Sequence, residues 1–167
     1  MSVPKFNSIN NHAFDACKAL SSVHAPNLTT IWGYGLAGCT ALSDVYLPKL
    51  SNLGGTTFGN AGLQKLTLYG YLSSNSTNNF ISNKSLSVVV ARVYTNMTGG
   101  GMFSSCTALT AYDGYGRFAA NDFNGCTNLS TIVLRNLTTA TLASTTAFNN
   151  TPFASGKTGG TIYIPSE

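Results

Sequence analysis

The sequence predicts a solenoid that is mostly β, with one parallel sheet of about seven short strands, short helical turns and no long helices. Three observations predict it. One apolar pattern recurs about every 22 residues, each copy contains one short segment of alternating apolar residues, and the intervening stretches are rich in Gly, Asn, Ser and Thr. A unit this short cannot bury its own apolar face, so neighbouring units must stack on one another.

The repeat is clearest where residues 12–31 are laid over residues 34–53, because seven apolar or proline positions then coincide. The first residue of the pattern is aromatic or aliphatic and recurs through the rest of the chain. Residues 1–167 are therefore expected to form a single repeat domain. Its units start near Phe14, Leu36, Phe58, Phe80, Phe103, Phe123 and Phe148.

Each unit contains one segment in which every second residue is apolar. Such alternation predicts a strand with one buried face. The predicted strands are 22–25, 44–47, 65–68, 88–91, 111–114, 131–134 and 161–164. The segments between them suit turns and at most one helical turn.

Charge and hydropathy argue against a nucleic acid partner and against membrane insertion. The net charge of +4 comes from scattered Lys and Arg, and only 8% of residues are charged, so no basic run is available to follow a nucleic acid backbone. No apolar stretch approaches 18 residues, and the chain does not open with a basic and then apolar segment. Neither membrane insertion nor a signal peptide in this chain is expected.

Both ends of the solenoid are expected to be uncapped. Residues 2–9 match the second half of a unit through Pro4, Phe6 and Ile9, so the chain is expected to open inside a repeat. It stops just after a strand, without the polar terminal unit that solenoids use for solubility. The chain is therefore interpreted as part of a longer protein.

The pattern F-x-x-C-x-x-L-x-x-V-x-L-P resembles the BspA-like subclass of bacterial leucine-rich repeats. The sequence departs from it at Leu36 for Phe, at Ala61, Asn83 and Thr151 for Cys, and through an insertion over 152–160. Residues 150–166 are similar to endings of such repeats in surface and phage-tail proteins of gram-positive gut bacteria. The full copies of the F-x-x-C-x-x-L core are Phe14-Cys17-Leu20, Phe103-Cys106-Leu109 and Phe123-Cys126-Leu129.

The resemblance implies a leucine-rich-repeat solenoid and a non-enzymatic binding or adhesion module. It implies an extracellular, cell-surface or virion-associated protein that recognises a protein or glycan ligand and needs no cofactor. An alternative is a structural spacer or assembly element, which stacks on a neighbouring domain or copy through the open ends of the solenoid.

Outward positions of the strands are the best candidates for a ligand surface. Tyrosine and arginine are frequent there, and both anchor recognition surfaces because they combine a large contact area with a polar tip. The alternative is that these residues only reflect strand propensity. The predicted ligand-binding patch consists of Tyr46, Tyr69, Arg92, Asp113, Tyr115 and Arg135.

The cysteines and histidines predict no metal or catalytic site. Cys17, Cys39, Cys106 and Cys126 share one phase of the repeat, where a small apolar side chain is expected. Free thiols are the preferred interpretation, although Cys17–Cys39 and Cys106–Cys126 disulfides stay open as alternatives. His24 has Asp44 as its nearest outward acid, but no nucleophile motif accompanies them, so an enzyme is not expected.

Overall fold

The computed structural model of the protein describes residues 6–69, 72–74, 76–91, 95–97, 99–115, 118–135, 144 and 146–165. Its strands are short and arranged in successive coils. In chain order they are β1 Ser8–Ile9, β2 Ser22–His24, β3 Thr30–Ile31, β4 Asp44–Tyr46, β5 Asn52–Leu53, β6 Lys65–Thr67, β7 Leu72–Ser74, β8 Val88–Ala91, β9 Thr95–Met97, β10 Ala111–Gly114, β11 Thr131–Leu134 and β12 Thr161–Tyr163.

All seven predicted strands are present on one side of the solenoid, which we call the main sheet. Strand β2 pairs with β4, and β6, β8, β10, β11 and β12 form a continuous five-stranded sheet. Every pairing is parallel and in the register that the repeat predicts, as in Val89 opposite Tyr112 and Tyr112 opposite Ile132. The described segments between strands are turns rather than helices. The solenoid prediction is confirmed.

The main sheet is interrupted between its second and third strands. In the described residues β4 pairs with β2 and β6 pairs with β8, without a ladder joining β4 to β6. The interruption coincides with the third unit, in which Leu63 falls one residue early in the pattern. The turns keep the coils stacked at the interruption, because the Gly62 amide donates a hydrogen bond to the Cys39 carbonyl over 3.1 Å.

A second parallel sheet, with the order β1-β3-β5-β7-β9, was not predicted. Its first three strands have two residues each, and Ile9, Ile31 and Leu53 stand opposite one another in register. All three side chains are buried. A strand of two residues is too short to show the alternation from which strands are predicted, which is why sequence reasoning assigned only one sheet.

The core is built from stacked columns of identical positions. Phe58, Phe80, Phe103 and Phe123 are buried, and neighbouring rings stack with centroids 5.4–5.5 Å apart. Phe148 continues the column 5.4 Å from Phe123. The leucine that follows in the same F-x-x-C-x-x-L pattern is also buried in successive coils, at Leu42, Leu63, Leu86, Leu109 and Leu129.

Sharp corners flank the Phe position in each coil. The residues two before and two after it repeatedly have a positive φ, a conformation that Gly and Asn tolerate best. Thr56, with φ of 55°, is β-branched and therefore among the types least suited to it. The positions two before are His12, Tyr34, Thr56, Asn78, Gly101 and Asn121, and those two after are Ala16, Gly38, Asn60, Ser82, Ser105, Gly125 and Asn150.

Candidate functional site

The outward column predicted for the main sheet is in register. His24 stands opposite Tyr46 on the first two strands. On the five-stranded sheet the same column is formed by Thr67, Val90, Asp113, Val133 and Tyr163. Each of these side chains is exposed or half-buried, because the alternate residues of the strands point into the core. The main sheet therefore presents its outward residues on one face, in two groups separated by the interruption between β4 and β6.

Three exposed rings form a row on this face, which we call the aromatic row: His24, Tyr46 and Tyr69. The His24 and Tyr46 rings meet edge to face at 6.3 Å and 74°. Tyr46 and Tyr69 repeat that arrangement at 5.8 Å and 73°. Edge-to-face contact is a favourable arrangement of aromatic rings, yet Tyr46 and Tyr69 remain 45% and 52% exposed. The row is a preformed surface with ring area still available to a partner.

An acidic side chain adjoins the aromatic row. His24 Nε2 lies 2.7 Å from Asp44 Oδ2. Asp44 stands opposite Ser22, so the contact crosses the strand pair diagonally. Both side chains are more than half exposed, and no Ser, Thr or Cys side chain of the described residues hydrogen-bonds to the His24 ring. The pair lacks the bound nucleophile of a catalytic triad.

The other half of the predicted patch is an ion pair. Arg135 Nη2 donates to Asp113 Oδ2 over 2.8 Å, and Arg135 Nε donates to Asp113 Oδ1 over 2.5 Å. This two-point geometry orients both groups towards each other. Tyr115 is half-buried just after β10, where the Tyr112 hydroxyl donates to its carbonyl over 2.8 Å. The Asp113 and Arg135 side chains and the Tyr115 carbonyl therefore have hydrogen-bond partners within the sheet. The Tyr46 and Tyr69 rings, in contrast, keep exposed area.

The structure thus divides the predicted patch. It brings Tyr46 and Tyr69 together and pairs Asp113 with Arg135, while Arg92 lies outside the described residues. His24 and Asp44 were not assigned to the patch, although they border Tyr46. The signal that could have added them is the repeat itself, because an offset of 22 residues already places His24 opposite Tyr46.

The buried cysteine side chains act as hydrogen-bond donors to the backbone. Each buried thiol donates to the carbonyl of the Phe-column residue of an earlier coil: Cys39 to Phe14 over 3.0 Å, Cys106 to Phe80 over 3.2 Å and Cys126 to Phe103 over 3.0 Å. Where Asn83 replaces Cys, its amide donates to Phe58 O over 2.7 Å. The expectation of a merely small apolar side chain was incomplete, since the position supplies a hydrogen-bond donor.

The thiols have the character of structural cysteines. Burial raises the pKa of Cys126 to about 12 and raises the pKa of Cys106 further. Low-pKa thiolates are the reactive form of cysteine, so these side chains are held in the unreactive form. All four cysteines are free in the structure. In the described part of the chain, no three His, Cys, Asp or Glu side chains gather as metal ligands would.

One buried carboxylate was not recognised from the sequence. Asp122 is 1% exposed and accepts hydrogen bonds from the amides of Met102, at 3.1 Å, and Ala119, at 2.6 Å. Burial raises the pKa of Asp122 to about 6, although both amide donors act to lower it. The side chain ties its own turn to the preceding coil, which is a structural role.

Comparison with known families gives a match over residues 7–116, where the model described as "BspA type Leucine rich repeat region" finds six copies. The chain belongs to the BspA-type leucine-rich repeat family. Members of this family are generally surface-associated in bacteria, and they are typically non-enzymatic scaffolds that suggest a protein-interaction module. The resemblance inferred from the Phe, Cys and Leu positions is confirmed.

Two solved structures of leucine-rich repeat proteins are similar to this chain. One is from Bacteroides ovatus, with a TM-score of 0.70 and 22% identity over 80% of this chain and 36% of that protein. The other is the T. pallidum protein TpLRR, with a TM-score of 0.65 and 22% identity over 75% of this chain and 62% of that protein. The BspA-type chain spans about a third of the first and under two thirds of the second. No curated protein sequence matches it. In the described residues, no helix is long and apolar enough to cross a membrane.

Proposed function

We propose that this chain is a non-enzymatic recognition module of an extracellular, cell-surface or virion-associated protein, and that it binds a protein or glycan ligand through the outward face of the main sheet. The observation that carries the proposal is the aromatic row, in which two tyrosines remain about half exposed while their orientation is set by contacts with neighbouring rings.

Exposed aromatic rings that adjoin one another form a contiguous apolar patch, and such patches often mark interaction sites. Tyrosine is also enriched among the residues that contribute most to binding. Asp44 and His24 supply hydrogen-bonding groups at the edge of the row. The row therefore combines apolar area with polar groups at its rim, as recognition surfaces do.

The test compares the wild-type chain with the double variant Tyr46→Ala/Tyr69→Ala on an array of host proteins and glycans. We expect the double variant to lose binding at least tenfold while its melting temperature changes little, since both side chains project from the sheet. Tyr163→Ala is the matched control, because Tyr163 is exposed in the same outward column but lies on β12. Equal binding by wild type and double variant would refute a role for the aromatic row.

The exposed edge strand β12 favours a second candidate, an assembly element. Ile162 stands opposite the buried Ile132 but is 48% exposed, and Tyr163 and Ile164 are exposed beside it. An uncovered strand edge with apolar side chains can pair with another strand. Light scattering over a concentration series distinguishes the candidates. Growth in mass that Ile162→Lys abolishes would support assembly, whereas a monomer at every concentration would contradict it.

A further inference from the structure

The first and last coils of the described solenoid both leave core positions in contact with solvent. In the first coil Phe14 is 38% exposed and Val23 is half-buried, whereas the matching positions of the middle coils are buried. In the last coil Ile162 is 48% exposed, although Ile132, which stands opposite it on β11, is buried. Each end therefore presents the apolar side chains on which another coil could pack.

The same two ends carry unpaired strand edges of the main sheet. Among the described residues β2 pairs with β4 alone, and β12 pairs with β11 alone. An edge strand presents backbone amides and carbonyls that another strand can bind. Beside β2, the Ser21 carbonyl accepts from the next coil and the Ala25 amide donates to it. Because alternate residues of a strand face opposite edges, the backbone groups of Ser22 and His24 face the open edge.

The two ends are also offset by half a coil. From β2 to β9, each strand of the main sheet is followed by a strand of the second sheet. The first described strand, β1, belongs to the second sheet, and no described strand of the main sheet precedes it. The last described strand, β12, belongs to the main sheet. Among the described residues, one end thus has the half-coil that the other end lacks.

We propose that this chain binds a second copy of itself head to tail, with β12 of one copy pairing in parallel with β2 of the next. The inference rests on the second candidate function, assembly through β12, and identifies the surface that β12 binds. The register follows from the repeat and sets Ile162 opposite Val23, as Ile162 is opposite Ile132 within the chain. The Ser22 amide then repeats the bond in which the Thr161 amide donates to the Ser130 carbonyl over 2.8 Å.

A head-to-tail contact suits these ends better than a contact between two identical ends. Pairing β12 with β12 would leave β1 of both copies without a main-sheet strand in its coil, whereas pairing β12 with β2 completes that coil. Neither Ser22–His24 nor Thr161–Tyr163 contains Lys, Arg, Asp or Glu, so no like charges oppose the contact. A head-to-tail contact leaves one open end of each kind, so assembly can continue beyond a dimer.

The test uses two variants that each block one end by placing a positive charge on it. Val23→Lys blocks β2, and Ile162→Lys blocks β12. In light scattering over a concentration series, we expect the wild-type mass to grow while each variant alone stays monomeric. An equimolar mixture of the two variants should form dimers and no larger species, because each variant keeps the end that the other has lost.

Thr107→Lys is the matched control, since it adds the same charge at an exposed position of a middle coil, and it should assemble as wild type does. Ser22→Pro is a second block of β2. It removes an edge amide at the first residue of a strand, where proline is tolerated. Circular dichroism melting checks that each variant is folded, and Ser22→Pro replaces Val23→Lys in the mixture if the latter is unfolded.

A wild-type chain that stays monomeric at every concentration would overturn the proposal, and so would a variant mixture that stays monomeric. Growth by Val23→Lys and Ser22→Pro that Ile162→Lys alone abolishes would refute the head-to-tail contact but leave assembly through β12 in place. Ligand binding on the array is a separate measurement, because these variants leave Tyr46 and Tyr69 unchanged.

Discussion

The Cys126 thiol donates a hydrogen bond over 3.0 Å to the carbonyl of Phe103, one coil earlier, and both residues are buried. The same relationship joins Cys106 to Phe80 and Cys39 to Phe14. The cysteine column therefore gives these carbonyls a second donor, since the Phe103 carbonyl also accepts from the Cys106 amide and the Phe14 carbonyl from the Cys17 amide. The phenylalanine and cysteine columns thus join the same neighbouring coils, the first by ring stacking and the second by hydrogen bonds.

Removing the Cys126 donor should destabilise the fold. Cys126→Ala removes one of the two donors to the Phe103 carbonyl, which keeps the Cys106 amide at 3.1 Å. Loss of one hydrogen bond costs about 0.5–1.5 kcal/mol of unfolding free energy. Cys17→Ala is the matched control, because Cys17 occupies the same phase of the repeat but is exposed, and surface changes usually stay within about 0.5 kcal/mol. Urea denaturation measures both. Equal losses from the two variants would contradict the role of the hydrogen bond.

Truncation in the middle of the phenylalanine column should be severe. Phe103 stacks on Phe80 and Phe123 with centroids 5.4 and 5.5 Å away. Phe103→Ala removes both contacts and leaves a cavity, so we expect a loss of about 3–5 kcal/mol. Phe14→Ala should cost much less, because Phe14 is 38% exposed. Thermal unfolding of the two variants compares them, and a similar fall in melting temperature would argue against the column as the main stabilising element.

Thr56 offers a gain in stability. Its φ of 55° is costly for a β-branched residue, and the left-handed region disfavours ordinary side chains by about 1–2 kcal/mol. Thr56→Asn, which installs the residue found at the same corner as Asn78, should therefore raise the unfolding free energy by roughly 0.5–1 kcal/mol. Thr107→Asn, at an exposed position whose φ is not positive, should bring no such gain. A decrease for Thr56→Asn in denaturant titrations would be inconsistent with strain at this corner.

Asp122 should give stability a distinct dependence on pH. Its pKa is raised from 3.8 to about 6, so the folded chain holds the proton more tightly than the unfolded chain does. The contribution of Asp122 to the free energy of unfolding is therefore largest below about pH 4. It falls by about 3 kcal/mol as the pH rises from about 4 to about 6, and it stays constant above that.

The variant Asp122→Asn cannot titrate at this position. The difference in unfolding free energy between wild type and Asp122→Asn should therefore change between about pH 4 and 6, with wild type losing stability relative to the variant. Denaturant unfolding across that interval measures the difference. A constant difference would show that the Asp122 carboxyl does not titrate differently in the two states.

Only part of the candidate site could be predicted from the sequence. Strand alternation placed Tyr46 and Tyr69 on the outward face, which the structure bears out in their exposure. Alternation carries no information on which outward residues pair with each other, so the ion pair between Asp113 and Arg135 was not predicted. Pairing depends on side-chain reach between strands, which strand alternation does not encode.

The order of the amino acids alone determined the solenoid, the parallel register and the buried columns, because each coil repeats one pattern and apolar positions must stack to leave water. Only the tertiary structure decided the second sheet, the donor role of cysteine and the burial of Asp122. These features depend on where backbone carbonyls and amides of adjacent coils point after stacking. A pattern of side chains along one coil does not specify that direction, so it could be read only from the assembled molecule.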